Sequence, residues 1–223
     1  VEAVALSADG RMVAFTSAAQ LSPAPTQGVR QLYVRDRLTG AVVLASASAS
    51  GAAADRDVDA AVGGDPQFAL SGDGRYAVFA TAAGNLGPAA GNSGGRDVFR
   101  KDLRTGAVAL VSQATGGAPA NGPVGGEPDV SYDGSRAVFT TGQATNLFPG
   151  DGNGQSDVVL RDLAAATTTL VARTPAGAPS AGATAHPAIS ADGRAVAFEA
   201  TGTTDLVPDA TAATDVRVRD PAA

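Results

Sequence analysis

The sequence predicts an all-β protein, a β-propeller made of four-stranded antiparallel blades, on three observations. A nine-residue unit occurs four times, as Ser7–Phe15 (SADGRMVAF), Ser71–Phe79 (SGDGRYAVF), Ser131–Phe139 (SYDGSRAVF) and Ser190–Phe198 (SADGRAVAF). The copies start 64, 60 and 59 residues apart, and a fixed long period marks a repeat architecture. Each copy belongs to a run of short strand-like segments joined by turn residues, and no window carries a capped apolar period of 3.6.

Each repeat reads as a meander of strands A to D. Strand A is a short apolar run ending in Ser, such as Phe68-Ala69-Leu70-Ser71. The following x-Asp-Gly reads as a two-residue hairpin turn, because Gly tolerates positive φ and Asp bonds its own backbone. Strand B alternates with period two and ends at Phe15, Phe79, Phe139 or Phe198. A longer connection carries Leu21, Leu86, Leu147 or Leu206. Strand C is Gln31–Asp36, Asp97–Asp102, Asp157–Asp162 or Asp215–Asp220. A Thr-Gly turn follows at 39–40 and 105–106, and the third copy degrades to Ala165-Ala166-Thr167. Strand D is Val42–Ala45, Val108–Val111 or Thr168–Val171, and a Gly/Ala/Pro-rich loop leads to the next strand A. Four such strands describe a propeller blade.

Composition fits this plan. The chain has 223 residues, 28 Gly and 13 Pro, and its 44% hydrophobic content includes only 4% aromatics. Small side chains must therefore fill many thin layers. The net charge is −6, which argues against nucleic acid, whose phosphates need a basic face. Cysteine is absent, which rules out disulfides and thiolate metal sites and is compatible with an exported bacterial protein. No apolar run approaches the roughly 18–20 residues that span a bilayer as a helix.

The S-x-D-G-R-x-V-A-F unit, the D-V-x-V-R-D strand and the T-G turn together resemble the WD-like repeats of TolB-type bacterial β-propellers. The resemblance covers residues 1–220 and implies protein–protein contact in the periplasm or at the cell surface. Tryptophan, common in such propellers, is absent, so Phe is expected to fill the layers between blades. The blades are expected at about 1–46, 66–112, 128–172 and 187–220 of a single propeller, the last lacking its outer strand. TolB-type propellers tend to have more than four blades. The chain therefore reads as an incomplete propeller: a fragment, a half that pairs with a second copy as a homodimer, or one piece of a proteolysed protein.

The A–B and C–D turns share one edge of the disk, are minimal and are nearly invariant among the repeats. The B–C loops (16–30, 80–96, 140–156, 199–214) and D–A loops (46–65, 112–127, 172–187) share the other, are long and differ in sequence. Variable loops on a rigid scaffold are where binding usually resides.

Two sets of candidate residues follow. Asp65, Glu127 and His186 each precede a strand A, the innermost strand, and could ring the channel mouth as a ligand-binding set. Asp151, Asn153 and Asp157 lie in Asp-Gly-Asn-Gly-Gln-Ser-Asp. Oxygens at positions 1, 3 and 7 suit a hard cation such as calcium, although the bidentate Glu of an EF-hand loop is missing. The competing reading is an Asx-turn loop. The run Asp55-Arg56-Asp57-Val58-Asp59 reads more readily as a solvated loop than as a cation site. The repeated Arg-Asp or Lys-Asp pair ending strand C reads as structural.

No catalytic constellation stands out: there is no G-x-S-x-G elbow, P-loop or dinucleotide fingerprint. The leading expectation is a non-enzymatic binding or scaffold module, periplasmic or secreted, that engages a protein or glycan through its long loops. The alternative is a propeller-fold hydrolase or lyase acting on glycans, with acidic residues at the channel mouth.

Overall fold

The computed structural model describes residues 3–58, 61–62, 65–87, 95–203, 205–206 and 213–221, with backbone alone at 61, 62 and 65, and the statements below concern these residues. Blade 1 comprises β1 (Val4–Leu6), β2 (Met12–Ser17), β3 (Gln31–Asp36) and β4 (Val42–Leu44). A short hairpin, β5 (Ala61–Val62) with β6 (Asp65–Pro66), follows within a stretch expected to be loop. Blade 2 is β7 (Phe68–Leu70), β8 (Tyr76–Thr81), β9 (Asp97–Asp102) and β10 (Val108–Leu110). Blade 3 is β11 (Gly126–Val130), β12 (Arg136–Thr140), β13 (Val158–Asp162) and β14 (Thr167–Leu170). Blade 4 has three strands, β15 (Ala183–Ile189), β16 (Val196–Thr201) and β17 (Asp215–Arg219). Every blade pairs antiparallel in chain order, as a propeller meander requires.

The recurring Ser of S-x-D-G is explained by its hydroxyl. Ser71 Oγ donates to Asp73 Oδ1 at 2.6 Å and accepts the Tyr76 N–H at 2.8 Å. The same pair of bonds recurs at Ser7, Ser131 and Ser190. The turn itself differs from the expected two-residue hairpin. Gly74 N–H donates to the Ser71 carbonyl and Ser71 N–H to the Tyr76 carbonyl, so residues 72–75 form the loop. Gly74 takes φ 70° there, and a four-residue loop built on a tight turn satisfies the same sequence signal.

The Asp that ends strand C braces the next turn. Asp102 Oδ1 accepts the N–H groups of Arg104 and Thr105, and its other oxygen takes Arg75 at 2.7 Å. Gly40 and Gly106 adopt φ 76° and 78° in this turn, and in blade 3 Ala166 is forced into the same region at φ 56°. The cation before the Asp reaches back one blade. Lys101 Nζ donates to the carbonyls of Ala47 and Ser48, and Arg161 to those of Gln113 and Ala114.

Blades stack face to face through apolar layers. Leu32 and Val34 of blade 1 meet Phe79 and Phe99 of blade 2. Val78 and Val98 meet Phe139 and Val159 of blade 3, and Val138 and Val158 meet Phe198 of blade 4. Phe79, Phe139 and Phe198 are buried as expected for the inter-blade layer. No neighbouring blade covers the two end faces of the arc, although on blade 1 Tyr33, Leu44 and Ala47 are buried in a small cluster of their own. Leu21 of blade 1 is 42% exposed, whereas Leu86, Leu147 and Leu206 at the same repeat position are buried. Val216 and Val218 of blade 4 are 71% and 67% exposed, whereas their blade-3 counterparts Val158 and Leu160 are buried.

Candidate functional site

The inner strands of all four blades line one axial cavity of about 350 Å³, with Glu127, Asp129 and His186 among its walls. Glu127 and His186 share an unusual backbone. Both have positive φ, 53° and 50°, a region that non-glycine residues visit at a cost. The cause is a β-bulge in each inner strand. Register slips between Gly126 and Asp129 opposite β12, and between Ala185 and Ala188 opposite β16. The bulges turn the two side chains toward neighbouring blades.

These residues form a relay around the axis. Gln67 Oε1 accepts the Glu127 N–H at 3.1 Å, and Glu127 Oε2 accepts the His186 N–H at 3.0 Å. Each side chain thus satisfies the backbone of its counterpart one blade further on. His186 Nδ1 lies 3.1 Å from Glu199 Oε2 and its Nε2 lies 3.9 Å from Glu127 Oε1. Two carboxylates therefore flank one imidazole at the cavity wall. Further along the same two strands, Asp129 Oδ2 of β11 accepts the Ile189 N–H of β15 at 2.8 Å. Burial raises the Asp129 carboxyl above its ordinary range, against the opposing pull of the Ile189 and Val130 N–H groups.

Of the three residues expected at the channel mouth, the structure brings Glu127 and His186 together, and the Asp65 side chain lies outside the described part. Glu199 was not foreseen. Its signal in the sequence is a charge directly after the strand-B Phe, where the other repeats carry Thr16, Ala80 and Thr140.

The long-loop rim is more regular than its sequence suggests. The D–A loops were expected to vary, yet each begins with the same small hairpin, closed by the bridges Ala47–Ala53, Gln113–Pro119 and Arg173–Pro179. Gly51, Gly117 and Gly177 turn these hairpins at φ 90°, 90° and 85°. An amide clamp then ties each D–A loop to the B–C loop of the next blade. Asn146 Oδ1 accepts the Asn121 N–H, Asn121 Oδ1 accepts the Thr145 N–H, and Asn146 Nδ2 donates to the Pro119 carbonyl. Asn85 and Asp55 repeat the exchange between blades 1 and 2, and Asp205 accepts the Ala181 N–H between blades 3 and 4. The overlooked signal is the polar residue before each connecting Leu: Gln20, Asn85, Asn146 and Asp205.

The loop 151–157 is a separate feature. Asp157 begins the blade-3 strand C and is fully buried. Its Oδ2 accepts from Asn153 Nδ2 at 3.1 Å, and that nitrogen also donates to the Ser180 carbonyl. Asn153 Oδ1 accepts the Gln155 N–H, so Asn153 positions Asp157 rather than offering its oxygen first. Burial, with the nearby charge of Asp151 adding to it, pushes the Asp157 carboxyl up to about 7. Asp157 Oδ1 and Asp151 Oδ2 are buried without hydrogen-bond partners. Residues 91–94 and 209–212 of the equivalent loops lie outside the described residues. Among the described residues, no group of three or more His, Asp or Glu side chains is placed to hold a metal ion. Asp55 and Asp57 instead accept the N–H groups of Gly84 and Arg30, and Asp59 lies outside the described residues.

No protein-family model matches the chain, and no curated protein matches it in sequence. Its fold is that of TolB-like β-propellers. It superposes on putative TolB from Agrobacterium tumefaciens with a TM-score of 0.56 at 16% identity, over 96% of this chain and 59% of that one. The TM-score to TolB from Acinetobacter baumannii is 0.54 at 15% identity, over 99% of this chain and 41% of that one. An oligogalacturonate lyase in complex with manganese gives 0.54 at 17% identity, over 98% of this chain and 51% of that one. Likeness at this identity establishes the fold alone. The chain spans about half the length of these propellers. No helix among the described residues is long and apolar enough to cross a membrane.

Proposed function

We propose that this chain is a non-enzymatic binding or scaffold module of the bacterial cell envelope or exterior, periplasmic or secreted, which engages a protein or glycan through its long-loop rim. The observation that carries this reading is the amide clamp. Asn121, Asn146, Asp55 and Asn85 hold loops from adjacent blades in one fixed arrangement. Preorganised loops lose little conformational freedom on binding, which favours recognition. The opposite edge of the disk consists of minimal turns repeated from blade to blade. Resemblance to TolB-like propellers supports a protein partner and an exported location. The uncovered faces at Leu21 and at Val216/Val218 also suit a second copy of this chain, stacked as one blade stacks on the next.

The test is capture of envelope proteins and of a polysaccharide panel on the immobilised chain. Arg56→Glu and Thr145→Arg, at exposed rim positions, should abolish capture. Arg104→Glu, in a short turn of the opposite edge, should leave it intact. Capture lost only with Arg104→Glu would place recognition on the wrong edge for this account.

The alternative is a propeller enzyme acting on a glycan. One observation favours it: His186 stands between Glu127 and Glu199 at the wall of the axial cavity. An imidazole flanked by carboxylates is equipped for proton transfer. The relay through Gln67 gives Glu127 a structural role in holding blades together, which ranks the binding reading first. Turnover of an acidic polysaccharide that is lost in His186→Ala and retained in Thr145→Arg would reverse the ranking.

A further inference from the structure

We infer that the Asp151–Asp157 loop of blade 3 is a binding site for one calcium ion, with Asp157 Oδ1 and Asp151 Oδ2 as its carboxylate ligands. Blades 1 and 2 show the partner that the Asp157 carboxylate lacks. In blade 1 the first residue of strand C is Gln31, and Ser46 Oγ donates to its Oε1 at 2.6 Å. In blade 2 it is Asp97, and Ser112 Oγ donates to its Oδ1 at 2.7 Å. Each serine also accepts the next strand-C N–H, that of Leu32 or Val98.

Blade 3 breaks this pattern in two ways at once. The residue at the serine position is Ala172, so the inner oxygen of Asp157 has lost its donor. The orphaned strand N–H, that of Val158, is taken instead by Thr184 Oγ1 at 2.9 Å. Deleting a donor to a buried carboxylate costs stability by itself. The loop then supplies a second carboxylate, Asp151, whose Oδ2 is also buried and without a partner. Two buried carboxylate oxygens without donors in one seven-residue loop lack a positive charge. Asn153 fixes the far oxygen of Asp157, so that its free oxygen is held in place. Oxygen-only donors in a Gly-rich loop suit calcium better than magnesium, which demands strict octahedral geometry, or zinc, which prefers nitrogen and sulfur. Loop carbonyls and water would complete the six to eight oxygens that calcium takes. The site lies in the blade-3 B–C loop, where Asn153 holds the Ser180 carbonyl, but its two carboxylates take no part in the rim clamp and it does not depend on the proposed binding function.

The test is calorimetric titration of CaCl₂ into chelator-stripped chain, with melting curves at each calcium level. One site is expected, with an affinity on the order of 0.1–1 mM, as in exported modules, and a rise in melting temperature on saturation. Asp157→Asn should weaken calcium at least about tenfold. Ala172→Ser is the sharper probe. It rebuilds the blade-2 arrangement at a position where serine already fits in two blades, so it should fold. It should raise stability without calcium and remove most of the calcium response. No heat and no melting shift up to 10 mM calcium, or full calcium affinity retained in both variants, would overturn the inference. In the first case the two carboxyls share a proton instead of a metal.

Discussion

The backbone N–H of His186 donates to Glu127 Oε2 at 3.0 Å, as the N–H of Glu127 donates to Gln67 Oε1 at 3.1 Å one blade earlier. Blade-to-blade order at the axis is therefore written in side chain-to-backbone bonds. Glu127→Gln keeps the acceptor, as Gln67 shows, and should leave the melting temperature nearly unchanged. Glu127→Ala leaves the His186 N–H without its acceptor and should cost about 1–3 kcal/mol. Chemical denaturation of the two variants checks this, and equal losses would mean that the relay carries no energy.

Ala166 occupies the left-handed position that Gly40 and Gly106 hold in the other C–D turns. Ala166→Gly should relieve that strain and stabilise by about 1 kcal/mol, a rise of about 2–4 °C for a chain of this size. The same substitution at a right-handed loop position should destabilise, because glycine adds freedom to the unfolded chain.

Asp36, Asp102 and Asp162 are each held below the ordinary carboxylate range. The Arg11 bond is the main cause for Asp36 and the Arg75 bond for Asp102, whereas for Asp162 the Ala165 N–H leads. A carboxyl depressed in the folded state stabilises above its unfolded pKa, near 4, and that stability is lost as the pH falls toward the folded value. Melting temperature should therefore decline as pH falls below about 5. Asp102→Asn should lower it at neutral pH and flatten the acid slope, as thermal scans across pH would show.

The layer between blades has a direction. Phe139 sits fully buried in the layer between blades 2 and 3, whereas Phe15 packs on Tyr33 at the uncovered face of blade 1, with ring centroids 5.9 Å apart. Phe139→Ala should cost about 3–5 kcal/mol, the usual penalty for a large buried side chain. Phe15→Ala should cost distinctly less in the isolated chain. Equal costs would mean that the blade-1 face is covered in solution, as a second copy would cover it.

The propeller was legible because its turns are spelled out by residue chemistry: Ser with Asp and Gly at one hairpin, Asp with Thr and Gly at the other. Glu127 and His186 were legible as channel residues from their place before strand A. Glu199 was not, because it lies across the sheet and meets His186 only once the bulge at Ala185–Ala188 exists. The rim clamp was hidden for another reason. Asn121 and Asn146 sit in stretches whose Ala, Gly and Pro content reads as irregular, and the single polar residue before each connecting Leu changes type between repeats, from Gln20 to Asn85, Asn146 and Asp205. The isolation of Asp157 shows only when Ser46, Ser112 and Ala172 are aligned, each fifteen residues after the first residue of its strand C.

Hydrogen exchange at the rim is the most direct test of the central claim that the long loops form a prebuilt binding surface. The amides of Asp55, Gly84, Asn121, Thr145 and Ala181 all donate to side chains of the clamp. In the free chain they should exchange slowly, with protection that Asn146→Ala removes at Asn121. Exchange of all five at the rate of an unstructured peptide would contradict it, because the rim would then be assembled only when something binds.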